Sequence, residues 1–144
     1  MFFVRLSSFF VALLLVCCAA SARPLWSSRA LKPRQSTLNV ATCTDPATQL
    51  VEHDCNVALL GLGGGIAGAI STTSATSGTC TVTASAVDGG TTIDISKGRL
   101  EGHGSTNGGF DNLLTACGPS PGSMVIGGGA KPTGNIQIAI SAAA

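Results

Sequence analysis

The sequence predicts an α+β domain, a two-layer α/β sandwich in which two main helices cover one face of an antiparallel, disulfide-stapled sheet. Three observations point there. Val57, Ala58, Leu60, Leu62 and Ile66 recur at helical spacing, whereas Cys80, Val82, Ala84 and Ala86 alternate with Thr81, Thr83 and Ser85 at strand spacing. Four cysteines, Cys43, Cys55, Cys80 and Cys117, follow a leader that directs the chain out of the cell.

That leader is residues 1–22: Arg5 precedes an apolar run from Phe9 to Val16, and Ala20-Ser21-Ala22 supplies a small-x-small cleavage signal. Cleavage after Ala22 leaves 122 of the 144 residues, enough for one domain, and removes Cys17 and Cys18. The four cysteines that remain are expected to pair in an oxidising, extracellular compartment. No later run reaches the roughly 20 apolar residues of a membrane-spanning helix. Residues 23–40 read as a basic disordered linker or propeptide, because Arg23, Arg29, Lys32 and Arg34 stand among prolines and serines with no acidic residue. Lys32-Pro33-Arg34 before Gln35 suits a protease that cuts after basic residues. Residues 41–144 form the single domain.

From Gln35 onward, three basic residues (Lys97, Arg99, Lys131) oppose seven acidic ones, a formal charge of −4 that argues against a nucleic-acid partner. Only Trp26 and Phe110 among the aromatic residues outlast the leader. A core of Val, Ile, Leu and Ala buries less area per residue than one with rings, so the disulfides, at about 2–4 kcal/mol each, carry more of the stability.

Along the domain, Thr44-Asp45-Pro46 offers a helix start with an Asp cap and a Pro at the first helical position, and Asp54 offers a second. The spacing predicts helix to about Leu62, where Gly63-Gly64-Gly65 erodes it. Ser71 to Thr79 reads as a loop and Cys80 to Ala86 as a strand. Asp88-Gly89-Gly90 predicts a hairpin turn into a second strand with Ile93 and Ile95 on one face. Ser96 caps a helix through Leu100, and Phe110, Leu113, Leu114 and Cys117 resume helical spacing until Gly118 and Pro119 end it. The glycines of Gly102 to Gly109 interrupt the two segments. Met124 to Ile126, a Gly-rich turn and a strand with Ile136, Ile138 and Ile140 close the chain. Antiparallel helices side by side would bring the start of the first near the end of the second, which favours Cys55 with Cys117 and Cys43 with Cys80; the sequence permits all three pairings.

Several motifs do not carry the chemistry that they spell. Gly63, Gly65 and Gly68 fit G-x-G-x-x-G with Asp88 beyond, but a helix rather than a strand is predicted before them, so no dinucleotide cofactor is expected. Gly118-Pro119-Ser120-Pro121-Gly122 spells G-x-S-x-G, yet its prolines do not suit a nucleophile elbow. His53 with Asp54, and Glu101 with His103, lack zinc-site spacing and read as surface or capping groups. The apolar stretch from Val57 to Ile70 carries no basic face for membrane binding.

Asp54-Cys55 with Ala58 on a helix, Gly78-Thr79-Cys80-Thr81-Val82 on a strand, Ile95-Ser96-Lys97, Leu113-Leu114 into Cys117-Gly118, a Gly-rich hairpin and a last strand give a recognisable order. From about Cys43 to Ser141 the chain resembles the small secreted glycan-binding proteins of mushroom-forming fungi, the Y-three type, which are structurally similar to the virally encoded killer toxins of smut fungi. The resemblance implies an α/β sandwich that recognises glycans or cell-surface glycoconjugates without catalysis or cofactor, as a monomer or weak dimer without stable membrane insertion. The Gly-rich insertion and the lack of aromatic side chains apart from Phe110 depart from a sugar-stacking lectin. Asn107, Asn112, Asp88 and His103 are available for polar recognition, although no spacing brings them together and the ligand-binding residues stay unknown. The alternative is a killer-toxin-like effector acting on membranes or channels, and a cell-wall structural protein is a third reading.

Mass spectrometry of the exported protein is expected to place its N-terminus at Arg23, or at Gln35 if the basic segment is processed. An N-terminus still at Met1 would remove the leader.

Overall fold

The computed structural model describes residues 37–103 and 106–144. The expected leader, and the expected linker as far as residue 36, lie outside the described residues. The last residues of that predicted linker are attached to the domain: the Asn39 N–H donates to the Val125 carbonyl (2.7 Å) and Leu38 bridges Val125 in parallel.

The fold is mixed, an antiparallel seven-stranded sheet with helices and two disulfides. Its strands are β1 (Ala41–Cys43), β2 (Gly65–Ala67), β3 (Thr72–Ser77), β4 (Cys80–Val87), β5 (Thr92–Ser96), β6 (Gly122–Lys131) and β7 (Asn135–Ala142). The helices are α1 (Glu52–Gly61), α2 (Lys97–Glu101) and α3 (Phe110–Cys117). The strand order is β2-β5-β6-β7-β4-β3, with β1 pairing β6 off that path.

The two ends of that order, β2 and β3, are neighbours in the chain, which requires the sheet to curl. Residues 65–77 and 80–96 are the arms of one long hairpin: Ser77 pairs Cys80 at the tip, Thr72 pairs Ser85, and beyond a corner Ala67 pairs Asp94 and Gly65 pairs Ser96. Bonding continues through the corner, because Ile70 and Ser71 carbonyls accept from the Ile93 and Ala86 N–H groups. The Asp88-Gly89-Gly90 turn therefore forms, with Gly90 N–H to Val87 carbonyl at 3.1 Å, but it bends the strand instead of returning it. The predicted β4–β5 hairpin is thereby corrected, since β4 pairs β3 and β7 whereas β5 pairs β2 and β6.

The expected loop over Ser71–Thr79 is also corrected. Thr72–Ser77 is strand β3, because its β-branched threonines suit a pleated surface and Gly78 (φ 49°) with Thr79 makes a two-residue turn onto β4. At Asp45-Pro46 the local helix signal loses to tertiary bonding. Asp45 caps a turn with Thr48, while Thr44 and Leu50 N–H groups donate to the carbonyls of Pro121 and Pro119.

Helix α1 starts at Glu52 without a cap from its own side chains. Thr79 supplies the cap: its Oγ1 accepts from the Val51 N–H (2.9 Å), and its N–H and hydroxyl donate to the Asp54 carboxylate (2.7 and 3.0 Å). Residues 51 and 54 are the N-cap and third helical positions, so a capping box is completed through a residue of the β-turn. Beside it the Cys55–Cys80 disulfide joins α1 to β4 with both cysteines fully buried, and Cys43–Cys117 joins β1 to the end of α3. The favoured pairing is thus corrected. The start of α1 does lie near the end of α3, but Cys55 faces inward to the sheet, so each helix is bonded to a strand. Loop lengths of 25 and 74 residues correspond to about 3.5 and 4.5 kcal/mol of unfolded-state restriction.

One core cluster draws on strands and helices. Ile126, Ile136, Ile138 and Val82 pack from the strands, and Phe110 and Leu113 from α3, all fully buried. Helix α1 packs on β3 and β4, and α3 packs on β1 and β6.

The Thr79 bonds hold the Asp54 carboxyl below the usual carboxylate range. A depressed folded pKa stabilises above the unfolded value, and the contribution is lost as pH falls through the folded value. Acid titration of thermal stability should therefore show a decline below about pH 4 that Asp54→Asn weakens, along with a lower melting temperature at neutral pH. An unchanged acid profile in the variant would count against the clamp.

Candidate functional site

Helices α1 and α3 line an open groove. Glu52 and Asn56 from α1 face Asp111, Leu114 and Thr115 from α3 around a depression of about 450 Å³. A second depression of about 290 Å³ adjoins it, sharing Asn56 and Asp111 and adding Leu59, Leu60, Glu101 and His103. Early residues of α1 and late residues of α3 line the first depression, and Leu60 lines the second with Glu101 of α2.

The groove combines charged, amide and hydroxyl groups with an apolar wall. His103 Nδ1 and Asp111 Oδ2 are 2.7 Å apart, with His103 almost wholly exposed and Asp111 partly so. The Thr115 hydroxyl donates to the Asp111 carbonyl (2.7 Å), which leaves its lone pairs toward solvent. Glu101 pairs with Lys97 at 3.5 Å, and Asp54 takes its hydrogen bonds from Thr79, with His53 adding only an electrostatic contribution. Among the described residues no cluster of three or more His, Cys, Asp or Glu side chains is placed to hold a metal.

The structure does not gather the four polar candidates into one site. His103 lines the groove. Asp88 sits at the β4–β5 corner with a positive φ of 55°, where its carboxylate accepts from the Asn135 amide (2.7 Å) while Asn135 Oδ1 accepts from Gly128 in the β6 bulge. Asn112 is half-buried on α3, its Oδ1 buried without a hydrogen-bond partner among the described residues. The Asn107 carbonyl is one of three that the Arg99 guanidinium grips, with those of Gly108 and Gly127 at 2.9 and 3.2 Å. Sequence reasoning missed Asn56, Glu52 and Thr115. Their one signal is position: on the predicted helices they fall beside, rather than within, the apolar stripe.

The Gly-rich insertion has a defined geometry. Gly102 closes α2 in the left-handed region (φ 70°), and Gly109 enters α3 at φ 156°. The two backbones touch: a Cβ on Gly109 would stand 2.5 Å from Gly102 Cα, and one on Gly102 would stand 2.6 Å from the Gly108 carbonyl oxygen. This neck carries His103 out to the groove. The G-x-S-x-G segment runs from helix to strand, the reverse of an elbow, and Ser120 is buried with the flanking proline carbonyls holding residues 44 and 50. Gly63, Gly65 and Gly68 follow a helix and enclose a strand, with no phosphate-cradling helix after them.

Gly109→Ala should destabilise by about 1–3 kcal/mol through overpacking at the neck, read as a lowered denaturation midpoint, whereas Gly98→Ala, which meets open space, should be tolerated. Equal midpoints would dismiss the neck. Compared with known proteins, the chain matches no family model, no curated protein and no solved structure.

Proposed function

We propose that the chain is a secreted, non-catalytic glycan-binding protein of the fungal Y-three type, a two-layer α/β sandwich with the main helices α1 and α3 on one face of the sheet. The groove between those helices is its sugar site. The observation that carries this reading is the convergence of Asn56, Asp111, Thr115 and Glu52 around Leu114. A pyranose needs such a combination, because its hydroxyls take convergent donors and acceptors while its C–H face takes an apolar contact. Two helices fastened to the sheet by disulfides hold these groups in place before a ligand arrives, which lowers the ordering cost of binding. The arrangement asks for no cofactor, and the protein works outside the cell as a monomer or weak dimer.

One observation favours the toxin-like alternative. Val51, Val57 and Leu60 are exposed on or beside α1, and such a strip suits contact with a membrane protein or channel. No helix among the described residues is long and apolar enough to cross a membrane. Growth inhibition of fungal or plant cells by the purified protein, lost in Leu60→Ser, would favour that reading over the first.

On a glycan array the refolded domain should bind a defined subset of glycans, and Asn56→Ala with Asp111→Asn should weaken that binding at least about tenfold, or ~1.4 kcal/mol, with an unchanged circular dichroism spectrum. Silence of the wild-type protein across a broad array would overturn the proposal.

A further inference from the structure

A second surface lies on the opposite side of the sheet from the core. On β3, β4, β7 and β6 the alternate residues that do not enter the core are Thr72, Ser74 and Thr76; Thr81, Thr83 and Ser85; Gln137, Ala139 and Ser141; and Ser123 and Val125. Register aligns them in rows across the strands. Ser74, Thr83, Ala139, Ser123 and Thr42 form one row through five strands, flanked by a row of Thr72, Ser85, Gln137 and Val125.

Among the described residues this face carries no charged side chain. Residues 55–87, 112–130 and 132–144 contain no Asp, Glu, Lys, Arg or His, so the charged groups of the domain fall on the helices, on the loops and β5, and at Lys131, the last residue of β6. Protein surfaces ordinarily carry about a quarter to a third charged residues, and solvent-facing sheets use them to remain soluble. Here hydroxyls replace them.

We infer that this face binds an uncharged, linear polysaccharide lying across the strands along the Ser74–Thr42 row. The other occupants fit poorly. A nucleic acid or an acidic glycan needs cations, a membrane needs apolar or basic cover, and a protein interface core is rich in aromatic residues, Met and Arg. A neutral hydroxyl-rich chain needs what the face offers. Ser and Thr both donate and accept, so they pair with sugar hydroxyls in either orientation, and no charge must be stripped of water without a partner. Their short side chains also lose little rotamer freedom on binding. Strands about 4.8 Å apart set the pitch of the row close to the length of one pyranose unit. Ala139 stands mid-row between Thr83 and Ser123, its methyl the smallest side chain of the row. At the β1 end a depression of about 240 Å³, lined by Val40, Thr42, Ser123, Val125 and Gln137 among others, adds an apolar wall for one ring face.

This surface is separate from the groove, so the two readings fail separately. The mature protein, incubated with particulate chitin, cellulose and β-1,3-glucan, should co-sediment with at least one of them. Ala139→Glu should reduce the pelleted fraction at least tenfold at unchanged melting temperature, and Ser74→Lys, on an exposed position of the same row, should reduce it in the same direction should Ala139→Glu fail to fold. Gly98→Ala, which meets open space, should pellet as the wild type does. Pelleting with none of the polymers, or pelleting unaffected by both row variants, would overturn the inference.

Discussion

The attachment of α1 to the β3–β4 turn is the constraint on which the other features depend. Within a few residues Asp54 and Thr79 exchange hydrogen bonds, Thr79 caps the helix, and Cys55 is covalently joined to Cys80. A helix of only ten residues that ends in glycine would hardly persist alone. Fixed at its first turn, it becomes the lid on β3 and β4 and one wall of the groove. Close packing at this junction leaves no slack: a Cβ on Gly78 would fall within the Asp54 carboxylate, at a residue whose positive φ already favours glycine.

The curl of the sheet follows from a second backbone device. The long hairpin 65–96 turns at Ile70–Ser71 on one arm and Val87–Thr91 on the other, while β6 accommodates the bend with a bulge at Gly127–Gly129. Asn135 spans these features, bonding Asp88 at the corner and Gly128 in the bulge. Glycines permit the approach, since Gly134 lies against the backbone of Val87 and Gly90. One face of the curved sheet then packs Ile and Val against Phe110, and the other meets water through hydroxyls.

Much of this was legible from the residues. Period-two alternation located β4 and β7, the Ser96 cap and Gly118 bounded α2 and α3, and a helix ending near Leu62 was expected where α1 stands, but its predicted face is corrected: Val57 and Leu60 are exposed, Ile66 lies on β2, and Cys55, Ala58 and Leu59 are the buried residues. The failures share a physical origin, which is that local signals were outvoted by distant partners. Asp45-Pro46 is a sound helix start in isolation, but its neighbours bond to the 119–121 loop. The Thr-rich stretch looked like a loop because it lacks apolar residues, although β-branching and a Gly78-Thr79 turn were present as strand signals. Proximity of helix ends misled the cysteine pairing, because side-chain direction rather than nearness selects a partner. For the groove, Asn56 and Thr115 carried no motif; they line one depression only because α1 packs on β3 and β4 and α3 on β1 and β6.

The contact between Gly102 and Gly109 means that the segment between them begins and ends at nearly the same point in space. The chain therefore leaves α2 and enters α3 through one narrow opening, and the Arg99 hold on the carbonyls of Asn107, Gly108 and Gly127 ties its returning side to β6. A disturbance at any of α2, α3 or the bulged strand is thereby transmitted to the other two, so this corner of the molecule responds as one mechanical unit.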